Sequence, residues 1–400
     1  MDDAPRETRR RAAYTTPMKL EHMIKQLIAC NSISSVVPAV DQGNLNVIHL
    51  LAGWLDDLGF ATEIMPLPDP RKANLIATWG SGPGGLVLSG HSDTVPCDDS
   101  LWHSDPFTLS ERDGRFYGLG SADMKSFFAL AIEAFKPLAR ETFRQPLIIL
   151  ATADEETSMA GARALVEAGK PLARRALIGE PTTMKPIRMH KGIMVEKLVI
   201  EGHSGHSSNP AIGRNAMHTL HQVLGELLAI QAELKEKYRS PLFAVDYPSL
   251  NLGCIHGGDN PNRICGHCEL GFEIRPLPGM NIGELQALLE RRLLPLGDAP
   301  QTPVSLSYHA VPPFATDEDS ELSRLCQRLS GSPASSVAFA TEAPFLQQLG
   351  MDVMVMGPGN IDQAHQPNEY IALDQLDPAV AMIRQLIVES CINPGSLTNQ

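Results

Sequence analysis

The chain has 400 residues, a formal net charge of −13 at pH 7 and 20% charged residues. This length predicts two domains, and the acidic balance argues against a nucleic-acid partner, because phosphate contacts require clustered lysines and arginines. We find no run of about 18 apolar residues and no apolar signal segment, so we expect no membrane span. The seven cysteines form no regular framework, which favours reduced thiols and a cytoplasmic protein.

The first half of the chain alternates between helical and strand-like patterns. Residues 1–17 are polar and basic, and we expect a flexible tail there. Apolar residues at helical spacing then predict helices at residues 16–31, 45–58 and 124–138. Apolar runs typical of buried strands lie at residues 74–78, 86–89 and 147–152. Helices alternating with apolar strands predict an α/β domain whose sheet is covered on both faces.

The pattern changes near Met189. A strand with one wet face is predicted at residues 194–201, and the order strand, helix, strand, helix then continues at 215–237, 269–275 and 282–293. The α/β pattern returns with a helix at 317–329, an apolar run at 351–356 and a helix at 374–389. The sequence therefore predicts one α/β domain, residues 18–190 and 304–400, interrupted by a small α+β domain at residues 191–303.

Two motifs place polar side chains next to predicted elements. His91 and Asp93 follow an apolar strand and point the same way in an extended chain, at the strand end where open α/β sheets place their sites. A neutral imidazole is a good zinc ligand and a nearby carboxylate can orient it, although a structural hydrogen bond is the alternative. Asp123 immediately precedes a helix, so an N-cap is the alternative to a ligand role.

Carboxylates also cluster after the strand at residues 147–152. Asp154, Glu155 and Glu156 are adjacent, and such clustering is costly unless cations neutralise it, a solvated loop being the alternative. Glu180 follows another apolar run, and His365 lies in a Gly- and Pro-rich stretch near the C-terminus. Mixed histidine and carboxylate ligands suit zinc and differ from a thiolate site.

The order and wording of these motifs resemble the dinuclear-zinc peptidase and deacylase family, from about Met18 to the C-terminus. The resemblance implies a zinc-peptidase-like catalytic domain, with a central mixed sheet between helices, and an inserted domain that serves as lid and dimerisation domain. It also implies two Zn²⁺ ions per subunit, with Co²⁺ able to substitute, and a homodimer. The implied metal ligands are His91 and Glu180 for one ion, Glu156 and His365 for the other, and Asp123 as the bridge.

The same resemblance implies roles for three further residues. Glu155 would be the general acid/base, and Asp93 would orient His91. His206 of the inserted domain would reach the active site of the partner subunit and bind the oxyanion. The family often has a cis peptide after its bridging aspartate, which makes Asp123–Met124 a candidate.

Several stretches look most like the branch of the family that acts on N2-acetyl-L-ornithine. They include His190-Lys191-Gly192, Gly257-Gly258-Asp259, Arg275-Pro276-Leu277-Pro278-Gly279 and Thr341-Glu342-Ala343-Pro344-Phe345. The expected reaction is hydrolysis of the acetamide to L-ornithine and acetate, a step of arginine biosynthesis. The alternatives are desuccinylation of N-succinyl-diaminopimelate, broad deacylation of N-acyl amino acids, and dipeptide hydrolysis.

Such a substrate carries a carboxylate and an ammonium. Arg275 is predicted to bind the substrate carboxylate, because a guanidinium can form two hydrogen bonds to a carboxylate. Asn262 is predicted to have a related substrate-binding role, and Arg263 is the second candidate for the carboxylate. Glu342 is predicted to meet the ammonium, with an N-cap or a surface acid as the alternative. The spacing of Cys265 and Cys268 is also found in zinc and redox sites, but buried free thiols are the favoured interpretation.

Overall fold

The computed structural model describes residues 18–298 and 302–394, so the predicted tail at residues 1–17 lies outside the described residues. Chain contacts divide the protein into two compact units. The inserted unit comprises Met189–Ala315 and Ser336–Ala340, and the large unit comprises the other residues that the structure describes. No helix within the described ranges is long and apolar enough to cross a membrane.

The elements are numbered here in chain order. The strands are β1 (Ala61–Pro66), β2 (Ala73–Trp79), β3 (Leu86–His91), β4 (Ser110–Arg112), β5 (Arg115–Tyr117), β6 (Leu147–Thr152), β7 (Arg175–Pro181), β8 (Ile187–His190), β9 (Ile193–Glu201), β10 (Ser249–Gly257), β11 (His267–Arg275), β12 (Val304–Val311), β13 (Phe314–Ala315), β14 (Ser335–Val337), β15 (Asp352–Gly357) and β16 (Tyr370–Ala372). The α-helices are α1 (Leu20–Ala29), α2 (Leu45–Asp57), α3 (Ser126–Phe135), α4 (Ala160–Ala168), α5 (Ala216–Lys237), α6 (Ile282–Leu293), α7 (Glu321–Ser330), α8 (Ala343–Gln348) and α9 (Leu376–Ile387).

A mixed sheet forms the centre of the large unit, with the strand order β1-β2-β6-β3-β7-β15. Strands β6, β3, β7 and β15 run parallel, whereas β1 and β2 are antiparallel additions at one edge. Every residue of β3, β6 and β7 is buried, as expected for parallel strands covered on both faces. The structure confirms the predicted α/β class with a central mixed sheet.

The helices of the large unit bury aromatic and aliphatic side chains against this sheet. Nine of the ten residues of α3 are buried, and α3 packs against α1 and α9. Phe127, Phe128 and Phe135 of α3 belong to one apolar core with Leu88 of β3 and Ile383 of α9. His91 lies at the carboxyl end of β3, Glu180 lies near that of β7, and Glu155 and Glu156 follow β6.

The inserted unit has its own sheet and core. Its strands are antiparallel in the order β10-β11-β9-β12, and α5 and α6 pack on them. The N-caps Asn215 and Asn281 start the two helices, because their side chains accept backbone N–H groups of Met217 and Glu284. Alternate residues of β11 are buried, which is the pattern of a sheet with one wet face.

The compact inserted unit extends beyond residue 303, the predicted end of the inserted domain, and includes the strands β12 and β13. β12 begins at Val304 and pairs with β9 from Val304 to Val311, so it completes the sheet of the inserted unit. That unit therefore continues to Ala315. The sequence pattern of β12 did not reveal its distant pairing partner.

Candidate active site

His91 is the last residue of β3 and is buried. Its Nδ1 lies 3.0 Å from the main-chain oxygen of Asp93, and its Nε2 lies 3.0 Å from Oδ1 of Asp123. A carbonyl oxygen only accepts, so Nδ1 carries a proton and Nε2 is the atom that can bind a metal. Burial alone would lower the pKa of His91, but the hydrogen bond and charge of Asp123 raise it well above its usual range.

The side chain of Asp93 has a different partner from the predicted one. Its carboxylate accepts the backbone N–H groups of Glu155 and Glu156 at 3.3 and 3.2 Å, while its Oδ1 stays 3.9 Å from Nδ1 of His91. The main-chain carbonyl of Asp93, rather than the carboxylate, therefore orients the imidazole. Burial raises the pKa of Asp93 to about 7.

Asp123 lies in the loop between β5 and α3. Helix α3 begins at Ser126 with Lys125 as its N-cap, so the N-cap alternative for Asp123 does not apply. The Asp123–Met124 peptide bond is cis. Glu369, which is buried, accepts the backbone N–H groups of Gly120, Ala122 and Asp123 at 3.0, 2.7 and 2.9 Å. Sequence reasoning missed this role of Glu369, although the residue lies four positions after His365.

Three predicted ligands converge closely. His91, Asp123 and Glu156 each offer one ligand atom, and these atoms lie within 4.8 Å of one another. His365 joins them, since its Nε2 is 3.0 Å from Oε2 of Glu156 and 3.7 Å from Oδ2 of Asp123. The hydrogen bond to Glu156 raises the pKa of His365. Glu180, near the end of β7, is buried, and burial together with the charge of Asp123 raises its pKa well above its usual range.

The donor set fits a divalent cation. Imidazole and carboxylate ligands match zinc chemistry, and a cation would offset the negative charge of the clustered carboxylates. Burial and the charge of Glu180 raise the pKa of the Glu155 carboxyl group well above its usual range. A bound cation would remove this repulsion. Glu155 would then be a carboxyl group beside the metal ligands that can accept and return a proton, as a general acid/base does.

Glu342 precedes α8 and is 1% exposed. Its Oε1 accepts a hydrogen bond from the hydroxyl of Ser89, and its Oε2 accepts one from Thr152 at 2.7 Å. It stands at the N-cap position but its side chain caps no backbone N–H. Because both oxygens are used inside the fold, this placement argues against the predicted contact with a substrate ammonium.

Four predicted site residues belong to the inserted unit. Arg275 ends β11, and its Nε and Nη2 donate to Glu273 at 2.6 and 3.0 Å. Arg263 is exposed and pairs with Asp259, while the main-chain oxygen of Asn262 accepts the N–H of Ser207 at 3.0 Å. The structure thus leaves the guanidinium of Arg275 with an internal partner.

His206, the fourth, is exposed on a loop that bridges to Arg263. Its Nδ1 accepts the backbone N–H of Ser208 at 3.2 Å, and the Ser208 hydroxyl lies 2.7 Å from the same atom. An accepting Nδ1 leaves the proton of the neutral ring on Nε2. The imidazole therefore presents an N–H donor on the side away from Ser208.

Cys265 and Cys268 are buried thiols, in agreement with the favoured interpretation. Their sulfur atoms are 3.5 Å apart, and the Cys265 thiol donates to the main-chain oxygen of His267. Burial raises the pKa of Cys268 to about 12, which keeps it protonated. All seven cysteines are free.

A cluster of imidazole and carboxylate ligands at the ends of parallel strands, beside a carboxyl group of raised pKa, is the arrangement of a metal-dependent hydrolase. The chain belongs to peptidase family M20/M25/M40, whose family model matches residues 87–389. A relative from Klebsiella pneumoniae named acetylornithine deacetylase is 48% identical over 370 residues, which are 92% of this chain and 96% of the relative. Another of that name from Pasteurella multocida is 45% identical over 92% of this chain and 97% of the relative.

Solved structures share the fold at low identity. A metallo-carboxypeptidase of the M20 family from Sulfolobus solfataricus has a TM-score of 0.75 at 18% identity, with 93% of this chain and 99% of that chain covered. A tripeptidase from Staphylococcus aureus has a TM-score of 0.72 at 16% identity, with 92% and 96% covered. These likenesses support the zinc-peptidase-like fold.

Proposed function

We propose that this hydrolase cleaves the acetamide bond of N2-acetyl-L-ornithine and releases L-ornithine and acetate. Relatives that are 45–48% identical over 92–93% of the chain carry the name acetylornithine deacetylase. The observation that carries the chemistry is the convergence of His91, Asp123 and Glu156 within 4.8 Å, next to Glu155.

Two Zn²⁺ ions per subunit are the proposed cofactors, and Co²⁺ is a proposed substitute. The residues that would hold them are His91, Asp123, Glu156, Glu180 and His365. When bound, such ions polarise the carbonyl of the amide and lower the pKa of water. His91 is suited to metal binding because its Nδ1 proton is held by the Asp93 carbonyl and its Nε2 is directed at Asp123.

Glu155 accepts the proton of the attacking water and returns it to the leaving amine. The position of Glu155 beside the proposed ligand Glu156 supports this role, and burial raises the pKa of its carboxyl group, which favours proton uptake. Asp93 contributes by holding the backbone N–H of Glu155, so its proposed function is to position the base as well as His91.

The inserted unit supplies the other proposed contacts. His206 donates its Nε2–H to the oxyanion in the active site of the partner subunit, which makes the protein a homodimer and the inserted unit its lid and dimerisation domain. Arg275 binds the substrate carboxylate, with Asn262 and Arg263 as further candidates, and it must exchange Glu273 for the substrate to do so. The seven free cysteines support the cytoplasm as the proposed location.

A substrate panel tests the proposal. We expect zinc-loaded protein to have its highest kcat/KM on N-acetylornithine, compared with N-acetylmethionine, N-succinyl-diaminopimelate and a dipeptide. A chelator should abolish the activity, and added Zn²⁺ should restore it. A preference for another compound would be consistent with the metal site but would contradict the proposed substrate. Activity that survives complete metal removal would refute the metal-dependent reaction.

A further inference from the structure

We propose that Lys72 is a positioning residue, which holds the segment Asp154–Thr157 in place through an ion pair with Asp154. This segment carries both Glu155 and Glu156. Lys72 immediately precedes β2 and is 7% exposed. Its Nζ lies 2.7 Å from Oδ1 of Asp154 and 2.9 Å from Oδ1 of Asp41. The inference rests on the proposed roles of Glu155 and Glu156.

The backbone of Asp154 explains why the segment requires an anchor. Asp154 has a φ of 59°, in the left-handed region that non-glycine residues seldom adopt. In this conformation its carbonyl accepts the N–H groups of Ser158 and Met159 at 3.0 and 2.7 Å, and the chain turns from β6 toward α4. Glu155 and Glu156 lie inside this turn, so their direction depends on it.

Lys72 and Ser34 contact the turn directly, and Asp41 supports Lys72. Lys72 and the hydroxyl of Ser34 both donate to Oδ1 of Asp154, at 2.7 and 2.8 Å. The Ser34 oxygen is also 2.8 Å from Oγ1 of Thr157. Asp41 in turn holds Lys72, and its own carboxylate accepts the N–H of Ser35 at 3.1 Å. We call Lys72, Asp41 and Ser34 the lysine anchor.

The charged side chains of the lysine anchor are largely buried, so the loss of an ion-pair partner would be costly. The side chains of Lys72, Asp41 and Asp154 are 9%, 5% and 11% exposed. Two carboxylates share one buried ammonium, so removal of Lys72 would leave Asp154 buried without its cation, whereas Asp41 would keep its ion pair with Arg71 at 2.7 Å. The turn at Asp154 would then relax, and the strand-end residues Glu155 and Glu156 would lose their fixed direction.

The first test needs neither substrate nor metal. In metal-free Lys72→Met protein, hydrogen–deuterium exchange of the amides of Ser158 and Met159 should rise by at least about tenfold, because both amides bond to Asp154. The matched control is Lys136→Met, which removes a lysine that is ion-paired to Glu133 at 2.7 Å on α3 and is 16% exposed. The control should leave exchange at residues 154–159 unchanged. Unchanged exchange in Lys72→Met would overturn the proposal.

The second test uses metal affinity and kinetics. Lys72→Met should weaken Zn²⁺ binding by about 10- to 100-fold, because Glu156 is displaced. At saturating Zn²⁺, kcat should fall on the order of 10²-fold, with KM within about threefold of the wild-type value. If the panel shows a different preferred substrate, kcat would be measured with that compound. Hydrogen exchange and Zn²⁺ affinity do not depend on the substrate, so they would still test the role of Lys72. Wild-type affinity and kcat in Lys72→Met would overturn it.

A double-mutant comparison separates positioning from general stability. If Lys72 acts through Asp154, Lys72→Met should lower kcat by a much smaller factor in an Asp154→Asn background than in the wild type. Equal costs in the two backgrounds would overturn the proposed route. Should Lys72→Met fail to fold, Ser34→Ala removes only one hydroxyl of the lysine anchor. Its amides at Ser158 and Met159 should also exchange faster, and wild-type exchange there would refute the anchor.

Discussion

We expect Glu196 to make the stability of the inserted unit depend on pH. It lies in the middle of β9, is 0% exposed, and neither of its carboxyl oxygens has a hydrogen-bond partner in the part of the chain that the structure describes. Phe272 and Tyr308 are its neighbours on the adjacent strands, and the nearby carboxylate of Glu290 on α6 adds negative charge. Burial therefore raises the pKa of Glu196 from 4.5 to about 8.

The sign and size of the effect follow from this shift. The folded protein favours the neutral carboxyl group, whereas the unfolded chain ionises above its ordinary pKa, so stability is lost as pH rises from about 4.5 to about 8. The full difference corresponds to about 4 to 5 kcal/mol. Water that reaches the ionised group would relieve part of it, and we expect an effect of about 2 to 4 kcal/mol.

Urea unfolding at several pH values tests this expectation. Glu196→Gln keeps the shape and removes the ionisation, so its stability relative to the wild type should increase steadily from pH about 5 to about 8.5. The control is Glu21→Gln, which changes an exposed glutamate on α1. A difference between Glu196→Gln and the wild type that stays constant over this pH range would refute the argument.

Three further substitutions test the site. Glu155→Gln should keep both metals and lower kcat by about 10²- to 10⁴-fold, and a fully active variant would end the proposed mechanism. His206→Ala should lower kcat by about 10²- to 10³-fold with unchanged metal content, and an unchanged kcat would remove the oxyanion role. Glu342→Gln should change the kinetics of N-acetylornithine and N-acetylmethionine alike, because both Glu342 oxygens bond to Ser89 and Thr152. A selective rise of KM for N-acetylornithine would restore the predicted contact with the ammonium.

The periodic elements could be predicted because their signal is local. The helix predicted at residues 282–293 coincides with α6, and the apolar run at 147–152 coincides with β6. Their side chains repeat at the period of a helix or form a continuous buried run, whatever their neighbours are. The short strands and the end of the inserted unit were harder, because β12 is defined by its pairing with β9 about a hundred residues earlier.

Several residues of the candidate site could be predicted from the sequence, but the atoms that they contact could not. The prediction for Asp93 follows from a carboxylate after a buried strand, whereas the prediction for Glu342 follows from the resemblance to the family. Which atoms these residues contact depends on the register of distant segments. Asp93 uses its carbonyl for His91 and its carboxylate for the backbone, and Glu342 bonds to strand hydroxyl groups. Lys72 gave no signal, because its partners lie 31 and 82 positions away.

Two buried carboxylates, Asp93 and Glu369, each hold one of the main-chain segments that carry the proposed metal ligands. Asp93 accepts the backbone N–H groups of Glu155 and Glu156, and Glu369 accepts that of Asp123 along with two of its neighbours. Hydrogen bonds to the main chain fix these segments while they leave the side chains of Glu155, Glu156 and Asp123 available to the metals and the substrate. An anchor of this kind has the same sequence signature as a ligand, since both are acidic residues near a strand or helix end. Only the three-dimensional contacts separate the carboxylates that would bind metal from those that hold the chain in position.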